Sequence, residues 1–199
     1  KTVEDARTGG TSGCVETGSF GKEAYILHGY LNVPKIMELA LNNGTDPLSG
    51  KRIGLETGAP QTFTCYEEFY QAFEKQLHYV VDTKIRTDNY IQRMFARHAP
   101  APYLSVLIHD CIENGRDYYD GGPRYNTDYI QCCGIGTVTD SFSVLKKHVF
   151  EEKTVTLADL LRALRENWEG WEEMRQFIWN RTPFFGNDDE EADSIMQKV

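Results

Sequence analysis

Between Arg7 and Gly21 the chain runs Arg-Thr-Gly-Gly-Thr-Ser-Gly-Cys-Val-Glu-Thr-Gly-Ser-Phe-Gly, with five glycines in the stretch. Glycine at that density means backbone angles closed to other residues, or close approach of something to the main chain. The stretch is expected to be a glycine-rich loop that holds a thiol, Cys14, and a carboxylate, Glu16, two residues apart.

Around this loop the pattern is mostly helical. A helix follows Pro34, with Ile36, Met37, Ala40 and Leu41 as its apolar face and Gly44 ending it. Asp46-Pro-Leu-Ser-Gly50 is turn chemistry, and Lys51 to Leu55 reads as a short strand. Thr64 and Glu67 form a capping-box pattern for a long helix over 65–98, stopped by Pro100 and Pro102. Phe69, Phe73, Leu77, Val80, Val81 and Ile85 recur along it at helical spacing, so they are expected in the core. Tyr103 to Asn114 reads as one amphipathic helix closed by Gly115. A second glycine-rich loop, Gly121 to Thr127, leads through Cys132-Cys133-Gly-Ile-Gly136 to a helix near 139–151. Thr156 with Asp159 caps a helix to Trp168, and Trp171 to Asn180 forms the next. Asn187 is expected to cap a last helix still running at Val199. A chain that starts at Lys1 and ends inside a helix reads as a segment of a larger catalytic domain.

Composition narrows the function. With 30 acidic residues against 21 basic and a net charge of −9, no basic stripe exists to displace counterions from a nucleic-acid backbone. Apolar residues at 40% and charged residues at 26% are those of a soluble globular chain. No apolar run approaches the roughly 20 residues that span a bilayer, and no charged-then-apolar leader opens the sequence. The five cysteines are odd in number and form no Cys-x-x-Cys pair. Neither a disulfide framework nor a zinc knuckle is indicated, and a reducing, cytoplasmic compartment is the better reading.

Cys14 and Glu16 are the sharpest candidates, because residues two apart in extended backbone point to the same side. The plain alternative is a small buried cysteine beside a surface glutamate. As a thiolate nucleophile Cys14 would want a positive neighbour, and Glu16 is the opposite. His28, the possible imidazole partner, reads as a structural residue on an apolar helix. A thiol that gives and takes a hydrogen atom needs no lowered pKa, only a closed, water-free site. The carboxylate beside it then serves as the base for a substrate hydroxyl. Other features are weaker. Gly134-Ile-Gly136 lacks the rest of a dinucleotide fingerprint, and no Walker sequence is present. His109-Asp110 reads as a solvated pair on its helix. Asp188 to Glu191 reads as negative charge favourable at a helix start, with calcium a remote idea.

The run Gly13-Cys14-Val15-Glu16 resembles the glycyl radical enzymes, the family of pyruvate formate-lyase, choline trimethylamine-lyase and their dehydratase and decarboxylase relatives. The likeness continues through Thr17-Gly-Ser-Phe-Gly-Lys-Glu-Ala-Tyr25, Leu41-Asn-Asn-Gly44 and Gly121-Gly-Pro-Arg-Tyr-Asn126. It goes on through Gly134-Ile-Gly136 to Asp140-Ser141 and Phe185-Gly-Asn-Asp-Asp189, so it covers essentially the whole chain. The resemblance implies an α/β fold: a segment, mostly helical, of a ten-stranded barrel wrapped by helices, with the cysteine loop reaching into its centre. Residues 1–199 would be a partial catalytic domain. Cys14 matches the family's thiyl cysteine and Glu16 its catalytic glutamate. The Arg-Val-x-Gly-Tyr-like glycyl loop is absent from this sequence, so the protein-derived radical is expected outside the segment, which by itself could not turn over.

The resemblance also implies a small-molecule substrate, a radical S-adenosylmethionine activating enzyme as partner and a homodimer. It implies no metal or nucleotide on this chain, and leaves packaging in a bacterial microcompartment open. The Glu16-Thr-Gly-x-Phe-Gly-Lys-Glu-Ala-Tyr25 run looks like the 4-hydroxyphenylacetate decarboxylases and the sulfonate-cleaving lyases. Gly-Pro-Arg-Tyr-Asn126 with Ile-Gln-Cys-Cys133 inclines the reading to isethionate sulfite-lyase, carbon–sulfur cleavage to sulfite and acetaldehyde. The decarboxylases and choline trimethylamine-lyase are the enzyme alternatives, and an inactive binding or scaffold fragment is the other.

Overall fold

The computed structural model describes residues 1–13 and 16–199. In chain order the elements are α1 (Val3–Arg7), β1 (Gly9–Ser12), β2 (Glu16–Ser19), β3 (Glu23–Asn32), α2 (Val33–Leu41), α3 (Tyr66–His98), α4 (Pro102–Ser105) and α5 (Cys111–Asn114). There follow β4 (Tyr125–Cys133), α6 (Ile135–Val144) with a π-helical continuation (Leu145–Glu151), α7 (Leu157–Arg165), α8 (Glu172–Arg181) and α9 (Glu190–Met196). They divide into two compact units, Lys1–Leu31 with Asp82–Gln131 and Asn32–Val81 with Cys132–Val199.

In the first unit β1 and β2 form an antiparallel hairpin, Gly9 opposite Ser19 and Ser12 opposite Glu16. The expected glycine-rich loop is thus mostly strand, because glycines with extended backbone pair as well as any residue. β3 pairs with β4, so the described strands make two two-stranded sheets, and no ten-stranded barrel forms among the described residues. The histidine expected on a helix, His28, falls instead on β3. The single helix expected over 103–114 is two short ones, α4 and α5, because Asp110 takes a left-handed φ of 76° between them. Gly115 closes α5 as expected.

The second unit packs on an aromatic cluster. Phe142 of α6 is fully buried, with ring centroids of Phe73 at 5.0 Å, Tyr70 at 5.3 Å, Tyr66 at 5.9 Å and Phe69 at 6.0 Å. Burying one such ring contributes about 2–3 kcal/mol. α2 adds Ile36, Met37 and Ala40, with Pro34 in its first turn and the Asn32 side chain accepting the Lys35 amide N–H. α7 adds Leu160 and Leu161 under its Thr156 cap, and α9 adds Ala192 and Ile195.

Several expectations shift by a residue or fail. Thr64 is bonded by Glu68 rather than Glu67, through both its amide and its hydroxyl. The strand expected over 51–55 is a single bridge, Thr45 to Arg52, while Asp46 forms its turn by accepting the Ser49 amide. Asp189, not Asn187, caps α9, which ends at Met196 instead of running out at Val199. Along α3, Phe69 and Phe73 are core, but Ile85 is 45% exposed, and Ile91, Met94 and Phe95 are exposed with it.

The π-helical turn buries His148 completely, its Nε2 3.0 Å from the Thr182 hydroxyl and its Nδ1 3.2 Å from that of Thr154. Burial pushes the imidazole below its usual pKa, against the Glu152 carboxylate, which pulls it up. A histidine depressed in the folded state binds fewer protons than the unfolded chain does, so stability falls as pH drops through about 6.5. Urea midpoints of the chain should therefore decline between pH 7.5 and 5.5. A His148→Gln variant should lose that part of the decline.

Candidate functional site

Glu16 is the residue through which the chain's chemistry can be located. It opens β2 opposite Ser12 and is 9% exposed. Its carboxylate lies over Gly13: a side chain there would meet Glu16 Oε2 at 2.7 Å, and Gly13 already has a φ of 60°. Cys14 falls between the ends of β1 and β2 and lies outside the described residues, as does Val15.

Behind the hairpin sits a charged residue that the sequence did not single out. Glu23, first in β3, is 1% exposed. Its Oε2 accepts the Ser19 amide N–H at 2.7 Å, its Oε1 accepts the Thr127 hydroxyl, and the Lys1 ammonium lies 2.6 Å away. Burial pushes the Glu23 carboxyl up, but the bonds from Lys1, Thr127 and Ser19 outweigh it and hold the group below the usual carboxylate range. Tyr129 of β4 donates its hydroxyl to the Thr17 carbonyl at 2.6 Å and stacks on Tyr25, centroids 6.2 Å apart. Burial, then the charges of Glu23 and Glu16, push the Tyr129 phenol up, so it stays a donor.

A second ionic knot fixes α1. Asp5 accepts from the Lys22 ammonium at 2.6 Å and from the Tyr125 hydroxyl at 2.7 Å, and both bonds hold its carboxyl well below the usual range. Arg124 donates to both oxygens of Asp110, at 2.7 and 3.1 Å, and reaches Asp5 at 3.4 Å. The pair His109-Asp110 is therefore not simply solvated: Asp110 is ion-paired, and the His109 amide donates to the Gly21 carbonyl at 2.7 Å. Among the described residues no group of three or more His, Cys, Asp or Glu side chains could hold a metal ion, and no helix is long and apolar enough to cross a membrane. Only the start of a long β-rich run at Glu23 hinted at the buried carboxylate, since a charge opening such a run needs partners wherever it is buried.

The pyruvate formate lyase-like family model matches residues 1–199. The chain belongs to the glycyl radical enzyme family. Over 199 residues it is 56% identical to trans-4-hydroxy-L-proline dehydratase of Clostridioides difficile, covering 100% of this chain and 25% of that protein. A crystal structure of hydroxyproline dehydratase from the same organism, with trans-4-hydroxy-L-proline bound, superposes with a TM-score of 0.96 over 100% of this chain and 25% of the other. Isethionate sulfite-lyase of Oleidesulfovibrio alaskensis is 34% identical over 100% of this chain and 24% of its own length. A glycyl radical enzyme from Archaeoglobus fulgidus is 31% identical, with a TM-score of 0.84 over 98% of this chain and 24% of that structure. The chain spans about a quarter of the length of the curated relatives it matches. In identity the chain stands nearer the dehydratase than the sulfite-lyase, against the sequence reading that favoured carbon–sulfur cleavage.

Gly18 gives a test of the packing behind Glu16. A Cβ at Gly18 would overlap Glu23 Oε2 and lie 2.8 Å from the Tyr25 hydroxyl. Gly18→Ala should destabilise by about 1–3 kcal/mol in urea unfolding. Gly136→Ala, whose Cβ would sit 3.5 Å from Phe185, is the control, expected neutral or up to about 1 kcal/mol stabilising.

Proposed function

We propose that this chain is the part of a glycyl radical dehydratase that carries its hydrogen-abstracting cysteine, Cys14, and its proton-handling carboxylate, Glu16. The observation that carries the reading is the 56% identity, over the whole chain, to trans-4-hydroxy-L-proline dehydratase. The substrate class is then a small cyclic or aliphatic molecule with a hydroxyl next to an activated C–H. The glycyl radical, on a residue outside this chain, supplies the unpaired electron by taking hydrogen from Cys14. The sulfur then takes a hydrogen atom from the carbon beside the hydroxyl-bearing one. Glu16 gives its proton to the departing hydroxyl, which leaves as water, and recovers a proton from the substrate's heteroatom. Cys14 returns the hydrogen atom, so the net change is loss of water.

Burial suits Glu16 to this work, because a carboxylate shielded from water keeps its proton for the substrate. The full-length protein would complete the ten-stranded barrel around the hairpin, depend on a radical S-adenosylmethionine activating enzyme and form a homodimer. A second reading keeps the same residues and changes the leaving group. Identity of 34% to isethionate sulfite-lyase supports abstraction at the hydroxyl carbon, Glu16 accepting the hydroxyl proton and sulfite departing in place of water. A sulfonate needs arginine-type donors, and these would come from the rest of the protein.

Activated full-length protein should dehydrate trans-4-hydroxy-L-proline and leave isethionate, 4-hydroxyphenylacetate and choline unchanged. Sulfite from isethionate would move the assignment to the second reading, and p-cresol or trimethylamine to the decarboxylase or choline groups.

The roles of the two residues separate in variants. Cys14→Ser should abolish turnover while the glycyl radical stays visible by electron paramagnetic resonance. Glu16→Gln should lower kcat by about 10²-fold or more while substrate binding is kept. Residual turnover near the wild-type rate in either variant removes that residue from the mechanism.

A further inference from the structure

The strand that carries Glu16 has only one sheet neighbour, β1, and a lone two-stranded hairpin is marginal in water. What holds β2 on its other side is a row of side chains from β3 and β4. Tyr129 bonds the Thr17 carbonyl, Glu23 fills the space where a Gly18 side chain would stand, and Glu23 accepts the Ser19 amide. Three consecutive residues after Glu16 are therefore fixed, and two of the three anchors are one carboxylate. That carboxylate is itself fixed by Thr127 and Lys1.

We infer that Glu23 is a positioning residue: its buried carboxylate sets the height and tilt of the β1–β2 hairpin, and so the placement of Cys14 and Glu16 against the substrate. The inference rests on the proposed roles of those two residues. Its mechanism is geometric. A hydrogen atom moves only over a short distance, and a misplacement of 1 Å can cost about 10²-fold in rate. Glu23 touches no reacting atom and moves no proton. The Lys1 ammonium neutralises it, so the carboxylate works as a rigid acceptor for two donors.

The test uses full-length protein with two variants, Glu23→Gln and the milder Thr127→Val, which removes one donor from the same carboxylate. The first measurement needs no activity: hydrogen–deuterium exchange of a peptide covering residues 9–19, against one covering residues 135–149. Glu23→Gln should speed exchange of the hairpin about tenfold and leave the second peptide unchanged, and Thr127→Val should do the same more weakly. The second uses whichever substrate the wild-type enzyme turns over. Glu23→Gln should lower kcat about tenfold or more with KM within about twofold and the glycyl radical signal at full amplitude.

Wild-type exchange of the hairpin overturns the inference, and so does a faster-exchanging hairpin with unchanged kcat. Faster exchange in both peptides, with kcat and radical signal falling together, would make Glu23 a general stability residue and overturn it too. Should wild-type protein leave hydroxyproline untouched, the substrate reading fails, while the exchange data and the substrate that is turned over still decide the role of Glu23.

Discussion

A carboxylate taken out of water must be given a full set of donors or it loses its charge. Glu23 meets that condition with an ammonium, a hydroxyl and a backbone amide, and its partners come from sequence positions 1, 19 and 127. The cost of burying the charge explains why these distant pieces must meet. Without Lys1 the charge would lack its counter-ion, and without Thr127 one oxygen would lack its donor. The Asp5–Lys22–Arg124–Asp110 knot repeats the logic a few residues away, so the hairpin is framed by ionic contacts more than by apolar ones.

The second unit is built the opposite way. Phe142 gathers the rings of Phe73, Tyr70, Tyr66 and Phe69 in edge-on and tilted arrangements, the geometry aromatic quadrupoles favour. Its one buried titratable ring, His148, is neutral and spanned by two threonine hydroxyls, so it adds direction without adding charge. The chemistry thus sits in the unit where polar contacts fix geometry, and the other unit draws its stability from apolar burial.

What the sequence made legible follows from the range of the forces involved. Helix signals are local, and Pro34, Thr156 with Asp159, and Gly115 all mark real helix ends. Where two acceptors compete within a turn, as Glu67 and Glu68 do for Thr64, spacing alone does not choose between them. The strands were less legible, because a strand is held by partners far along the chain. β1 and β2 looked like loop for their glycines, and β4 was hidden inside a second glycine-rich stretch. Ile85 has helical spacing but no apolar neighbour to cover it among the described residues, since periodicity reports a face and not what lies against it. The Cys14–Glu16 pair stood out by chemistry. Glu23 did not, because only the fold reveals that its charge is buried.

The π-helical turn after α6 has a consequence for length variation. An i to i+5 bond, from the Glu152 amide to the Lys147 carbonyl at 2.8 Å, marks a segment with one residue more than an α-helix would use. Removing a single residue between 145 and 151 would let the helix relax to the α form without opening a gap in its ladder. Everything before the deletion would then be rotated by about 100° relative to everything after it. The imidazole of residue 148 would swing away from Thr182. A deletion here is thus tolerable to the backbone and intolerable to the core, so length polymorphism among homologous chains should avoid this one turn and collect in the loops on either side.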